Sequence, residues 1–400
     1  MRGPILLFAL AWGLAACRGE ARQTQARSEE DLARLVDSLR GPVEQAAGLR
    51  FTEPPRSAMR SREQVREYLI SKLDEELPPE RLHGLETTYR LFGLLPDTLE
   101  LRPLLLDLYT EQVAGFYDPD SATLFGVEGA DRTQLRLVLA HELIHALQGQ
   151  HLPLDSILDA RENNDRLAAA QAILEGQATL ASLEVLAPGQ DVAQNPQFWD
   201  MYREQVRRQQ SSMPVFRRAP LVLRETLIFP YLQGAEFMHW WEREGRDSMP
   251  YGALMPVSTE QVLHPDRYAR GDLPVAIAFP EEPGVIYEDV LGESEIRVIQ
   301  ATLAGSDEVQ TVVPIGWGGD RYRLYEPPEG PALVWYAVWD DARSAERFLR
   351  SAVGLRSTAR PGYRAALESL TIGGRAATRY TLAPAQWERW SGLPGVTLSP

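Results

Sequence analysis

Apolar positions along the chain follow two periods, and the change from one to the other divides it. From residue 31 to about 110 they return every three or four places, as in 31-DLARLVDSLR-40 and 62-REQVREYLISKLDEEL-77. That is the spacing of amphipathic helices with one buried face. The triplet 78-PPE-80 stops one helix and starts the next, and Gly93 and Pro96 interrupt the pattern that follows. At 112-QVAGFYDPDSATLFGVE-128 two short apolar runs flank Asp118-Pro119-Asp120-Ser121, which predicts a β-hairpin. Helical spacing resumes over 131-DRTQLRLVLAHELIHALQ-148, with Asp131 as N-cap and Gly149 as the stop. A second long helix is expected over 162-ENNDRLAAAQAILEGQATLASLEVL-186, rich in Ala, Leu and Glu. Residues 187–220 are looser, and 231-YLQGAEFMHWWEREG-245 reads as a helix that begins just after Pro230.

Beyond about residue 285 the period shortens to two. The segments 321-RYRLYE-326, 332-ALVWYAVW-339 and 375-RAATRYTLA-383 read as strands, and 341-DARSAERFLRSAV-353 as a helix between them. The expected fold class is α+β. A helical region over 31–110 precedes a mainly helical unit with a small antiparallel sheet over 111–284, and a smaller α+β domain occupies 285–400. No internal repeat is visible.

The first residues belong to neither pattern. Arg2 precedes the apolar run 4-PILLFALAWGL-14, too short to span a bilayer, so residues 1–16 read as a signal peptide. The run ends in 14-LAAC-17, which resembles a bacterial lipobox, and Cys17 is the only cysteine of the chain. A lone cysteine has no thiol to pair with, so lipidation of Cys17 is the expectation, with residues 17–30 as a polar tether. The expected location is the cell envelope, exposed to the periplasm or the exterior. Arg18 stands where inner-membrane retention wants Asp, which points to the outer membrane where the host has two.

Composition excludes one class of partner. A formal net charge of −15 leaves no basic face for phosphates, so nucleic acid is not expected. The histidines carry more information. There are six, and His141, His145 and His151 fall within eleven residues of one another. On a helix His141 and His145 lie one turn apart on one face and can aim both imidazoles at one cation, for which zinc is the expectation. Glu142, beside the first histidine, is placed to act as a general base toward water rather than as a ligand. No other polar residue interrupts Leu137 to Leu147, which a pair of ordinary core histidines would not require. A catalytic zinc takes a third protein ligand, and two candidates stand: His151, ten residues after His141, and Glu175, in 173-ILEGQATLAS-182. The His151 spacing resembles the metzincin motif, but Gln148 holds the place of its glycine. Gly176 beside Glu175 allows a close helix approach, with Ala178 and Ser182 keeping that face small. For the donor to a tetrahedral oxyanion the candidates are Tyr231 and His264. His239 reads as aromatic packing and His83 as structural or solvent-facing.

The segments 115-GFYDPDSATLFGV-127, 141-HELIHALQ-148, 175-EGQAT-179, 229-FPYLQG-234, 258-STEQVLHP-265 and 316-GWGGDRY-322 resemble those of gluzincin-type zinc metallopeptidases, the thermolysin-like clan, in a bacterial group that includes many lipoproteins. The resemblance covers most of residues 110–350. It implies a zincin-like catalytic unit, Glu175 as the third zinc ligand, a protein or peptide substrate, and an edge strand in the hairpin 112–128 that binds extended peptide. One departure is plain: Thr179 stands where many gluzincins carry an Asp that orients a zinc histidine.

The reading is therefore an exported, lipid-anchored zinc metallopeptidase. Two other classes compete with it. One is an inactive zincin-like scaffold, against which the retained Glu142 argues. The other is an envelope-binding module working through Trp317, Trp335, Trp339, Trp387 and Trp390, for which core packing is the simpler account.

Overall fold

The computed structural model describes residues 29–159, 163–189, 196–246, 248–309, 315–357 and 360–399. The expected signal peptide, residues 1–16, and Cys17 lie outside the described residues. The first elements are α1 (Glu29–Ala47), β1 (Arg56–Arg60), α2 (Arg62–Glu76), α3 (Pro79–Leu91) and α4 (Leu101–Gln112). Then come β2 (Gly115–Asp118), β3 (Thr123–Val127), α5 (Arg132–His151), α6 (Leu154–Leu158), α7 (Asn164–Leu186), α8 (Pro196–Ser211), α9 (Pro214–Arg218) and α10 (Leu221–Arg243). Two short helices follow, α11 (Thr259–Leu263) and α12 (Pro265–Ala269), and then β4 (Ala276–Ala278). The last part holds β5 (Val285–Asp289), α13 (Gly292–Leu303), β6 (Trp317–Tyr325), β7 (Ala332–Trp339), α14 (Ala342–Ser351), β8 (Tyr363–Ile372), β9 (Arg375–Pro384) and β10 (Thr397–Ser399). The fold is α+β, as the two periods imply.

α5 is buried around its circumference, as a helix apolar on every face must be. Its start is capped by Asp131, whose carboxylate accepts from Thr133 N at 2.9 Å and Gln134 N at 3.1 Å. One side packs under the sheet β1-β3-β2, through Leu124 on β3 and Leu135 and Val138 on the helix, and α1 adds Leu32, Val36, Leu39 and Val43 to the same core. The helix runs on through Gly149 to His151. The small sheet is mixed, not purely antiparallel. β2 and β3 form the expected hairpin, whereas β1, in a region of helical period, pairs parallel with β3.

α7 is gripped from its other side by α10, the most extensive helix pair of the molecule. Two glycines set the closeness. A Cβ on Gly176 would sit 2.3 Å from the carbonyl carbon of Gly234, and one on Gly234 would sit 2.0 Å from the oxygen of Ala172. The close approach expected at Gly176 is thus made by α10. That helix passes through Pro230 and begins ten residues earlier than the proline suggests, because its burial against α7 outweighs the missing hydrogen bond.

The C-terminal sheet has the order β5-β6-β7-β9-β8, antiparallel throughout, with α13 and α14 on one face and the β4–β10 pair on the other. Its tryptophans are structural. Trp317, Trp335, Trp339 and Trp387 are buried and Trp390 is half-buried. The indoles of Trp317 and Trp335 both donate to Asp320 at 2.9 Å, and Asp320 also accepts from Leu291 N and Gly292 N at the start of α13. Next to it, Asp289 accepts from Asn164 N at 2.7 Å, so the sheet unit holds the first turn of α7.

Candidate metal centre

α5 and α7 bring three side chains to one point. His141 Nε2 lies 2.9 Å from Glu175 Oε2, His145 Nε2 lies 3.3 Å from the same oxygen, and the two imidazole nitrogens are 3.0 Å apart. All three residues are buried, and among the described residues this is the one cluster of histidine, cysteine and carboxylate groups whose ligand atoms converge to hold a metal ion. A four-coordinate cation with bonds of about 2.0–2.1 Å separates its ligand atoms by roughly 3.3 Å. The triangle is therefore already near the size such a cation needs. Two imidazole nitrogens and a carboxylate oxygen suit zinc and neighbouring divalent transition metals. The residues present fit a metal ion.

Electrostatics agree with the geometry. Burial by itself would raise the Glu175 carboxyl, but His145 and His141 against it hold it below the usual carboxylate range. Burial would lower His145, and the Glu175 and Glu142 carboxylates raise it instead. His141 is lowered, by burial first. The Glu175 carboxyl is thus held ionised beside the two imidazoles, the state a metal ligand requires.

Glu142 sits beside this triangle without joining it. Its Oε2 accepts from Tyr117 N at 2.7 Å, from the side of the edge strand β2 that faces away from β3. Its Oε1 is buried and has no hydrogen-bond donor among the described residues. Burial, with Glu175 nearby, pushes the Glu142 carboxyl up to about 8. Tyr231, on α10, is fully buried. Its ring lies 5.9 Å from that of His141, its hydroxyl bonds to Glu175, and burial first, then the two carboxylates, raise it well above the usual phenol.

The other histidines lie elsewhere. His151, the rival third ligand, donates to the carbonyl of Arg50 at 2.8 Å at the exposed end of α5. His264, the rival oxyanion donor, stands between α11 and α12 with its Nε2 at 2.9 Å from Glu293 Oε1 and 3.2 Å from Arg297 Nη2. α11 packs at the beginning of α7, where Thr259 N donates to Asp165, ten residues before Glu175 and so about 15 Å along the helix. The structure thus brings together His141, His145, Glu175, Glu142 and Tyr231, and engages His264 with Glu293 and Arg297. His239 packs against Trp199 at 5.4 Å, and His83 is exposed beside Glu326.

Residue pattern alone missed the groups behind His145. Gln148 Oε1 lies 2.8 Å from His145 Nδ1, and Gln148 Nε2 donates to Leu174 O at 2.9 Å and to Gln177 Oε1 at 2.8 Å. The only signal was negative: Gln148 is the residue that breaks the metzincin spacing.

Residues 282–382 match a family model described as a domain of unknown function (DUF8575). The match falls on the C-terminal sheet unit, outside the triad. No curated protein and no solved structure matches the chain.

Proposed function

We propose that the chain is a zinc metallopeptidase, exported by its leader and anchored to the cell envelope through a lipidated Cys17, that hydrolyses peptide bonds in protein or peptide substrates. The observation that carries the reading is Glu142. A site that only holds a metal has no use for a buried carboxyl beside the ligands with one oxygen pinned and the other free. A divalent cation in the triangle, zinc in this reading, supplies Lewis-acid polarisation of a peptide carbonyl and acidifies water. The chain's own residues do the rest. Tyr117 N–H fixes Glu142 Oε2, which leaves Oε1 as the atom that accepts a proton from water and returns it to the leaving amine. Tyr231 stays protonated in this environment and is the group best situated to donate to a developing oxyanion. His264 is engaged by Glu293 and Arg297, which favours Tyr231 for that role.

The test compares wild type with Glu142→Gln for bound metal and for turnover of casein or a peptide library. The expected result is equal zinc with turnover lowered at least 100-fold in the variant. Zinc without turnover in wild type would instead favour an inactive scaffold.

A further inference from the structure

We propose that Gln148 and Tyr251 are positioning residues for His145, joined in a hydrogen-bonded chain that dictates which imidazole nitrogen faces the triangle and that ends in the segment 249–255; this rests on the reading of the triad as a metal centre. The chain starts from a group with a single capability. The carbonyl of Leu174 can only accept, so the Gln148 atom 2.9 Å from it must be the amide nitrogen. The same nitrogen donates to Gln177 Oε1 at 2.8 Å. The remaining amide atom, Oε1, is then the one 2.8 Å from His145 Nδ1. An amide oxygen can only accept, so Nδ1 carries the hydrogen. Neutral imidazole with its hydrogen on Nδ1 keeps its lone pair on Nε2. That is the atom 3.0 Å from His141 Nε2 and 3.3 Å from Glu175 Oε2. A backbone carbonyl on α7 thereby sets an amide, and the amide sets a tautomer on α5.

The outer end of the chain is Tyr251, whose hydroxyl donates to Gln177 Oε1 alongside Gln148. Tyr251 lies between α10 and α11. Met249, Tyr251 and Met255 pack on the main core, and Tyr251 and Met255 also cover a small cluster of Leu158 from α6 and Ala170 and Leu174 from α7. Displacing the segment withdraws the tyrosine hydroxyl from Gln177 and loosens the bond by which Gln177 helps Leu174 O hold the Gln148 amide against His145. Metal affinity is coupled in this way to the position of the 249–255 segment.

The experiment is competition between the full-length chain and a chromophoric chelator for zinc, with the visible spectrum of the cobalt-loaded protein as a second readout. Gln148→Leu fills the volume without an acceptor and weakens zinc binding about 10–100-fold, with a shifted cobalt spectrum. Gln148→Glu, whose buried carboxyl holds a proton to donate to Leu174 O in place of the amide N–H, keeps the acceptor for His145 and restores most of the affinity and the wild-type spectrum, a rescue that packing alone does not give. Tyr251→Phe removes one hydroxyl and weakens binding about fivefold; should Gln148→Leu fail to fold, this variant and Gln148→Glu carry the test. Wild-type affinity in Gln148→Leu, or a loss that Gln148→Glu does not restore, overturns the positioning role while the metal centre stands. Wild-type affinity in Tyr251→Phe removes the segment from the chain. A wild-type protein that binds no zinc overturns both the chain and the reading beneath it.

Discussion

At the scale of single residues the centre depends on what each side chain is denied. Glu142 is 1% exposed and has one oxygen without a donor among the described residues, an arrangement that costs free energy unless something arrives to use it. Tyr231 is denied water as well, and its hydroxyl is left to Glu175. In Tyr231→Phe the ring that lies against His141 remains and only one bond to Glu175 is lost, so at saturating zinc the variant should still hold one equivalent of metal. Turnover, measured as kcat/KM on one peptide, should fall about 100- to 1000-fold. Unchanged turnover would move the oxyanion donor elsewhere. His141, Glu142 and His145 were legible in the chain because one helical turn and an unbroken apolar run announce them. Glu175 was legible only as one of two candidates. Gln148 and the Tyr117 amide were not legible, since a glutamine in a helix and a backbone N–H carry no chemical signature until tertiary structure gives them partners.

At the scale of elements, the packing of α5 on α7 assembles the triad, and the crossing of α7 and α10 adds Tyr231 to it. Gly176 follows the candidate ligand Glu175 directly, and Gly234 lies three residues after Tyr231, so the contact that brings the helices together also brings tyrosine to glutamate. Gly234→Ala should push the helices apart, cost about 1–3 kcal/mol in a denaturant titration, and lower turnover together with stability. A midpoint equal to wild type would show that the crossing has slack. Period alone recovered α5, α7, the β2–β3 hairpin and much of the C-terminal sheet. It missed β1, whose strand identity comes from pairing with β3, and it started α10 at Pro230, because a local rule about proline yields to burial along a whole face. The glycine at 176 was visible as a site of close approach, but its partner helix was not.

At the scale of the whole molecule, α7 ties the metal centre to the C-terminal sheet. Its first turn meets Asp289 and the Thr259 segment, and its middle carries Glu175. Asp165 at this junction is pushed by burial, against the opposing bonds from Thr259 and with added repulsion from Asp320 and Glu293, from 3.8 up to about 7. Between those values the folded protein holds a proton on Asp165 that the unfolded chain has released, so stability falls as pH rises through that window. Asp165→Asn keeps the acceptor for Thr259 and removes the titration. Melting temperatures from pH 4 to pH 8 should decline less steeply in the variant than in wild type, and parallel curves would contradict the assignment. The α+β class was legible from the two periods. The junction was not, because it joins carboxylates to backbone amides 94 and 125 residues away in sequence.

The central claim is that one divalent cation is gripped by His141, His145 and Glu175. Metal content after exhaustive dialysis, measured on wild type, Glu175→Ala and His151→Ala in parallel, tests it most directly. The account predicts one equivalent of zinc in wild type and in His151→Ala, and loss of the metal in Glu175→Ala. Metal retained without Glu175, or no metal in wild type, would contradict it.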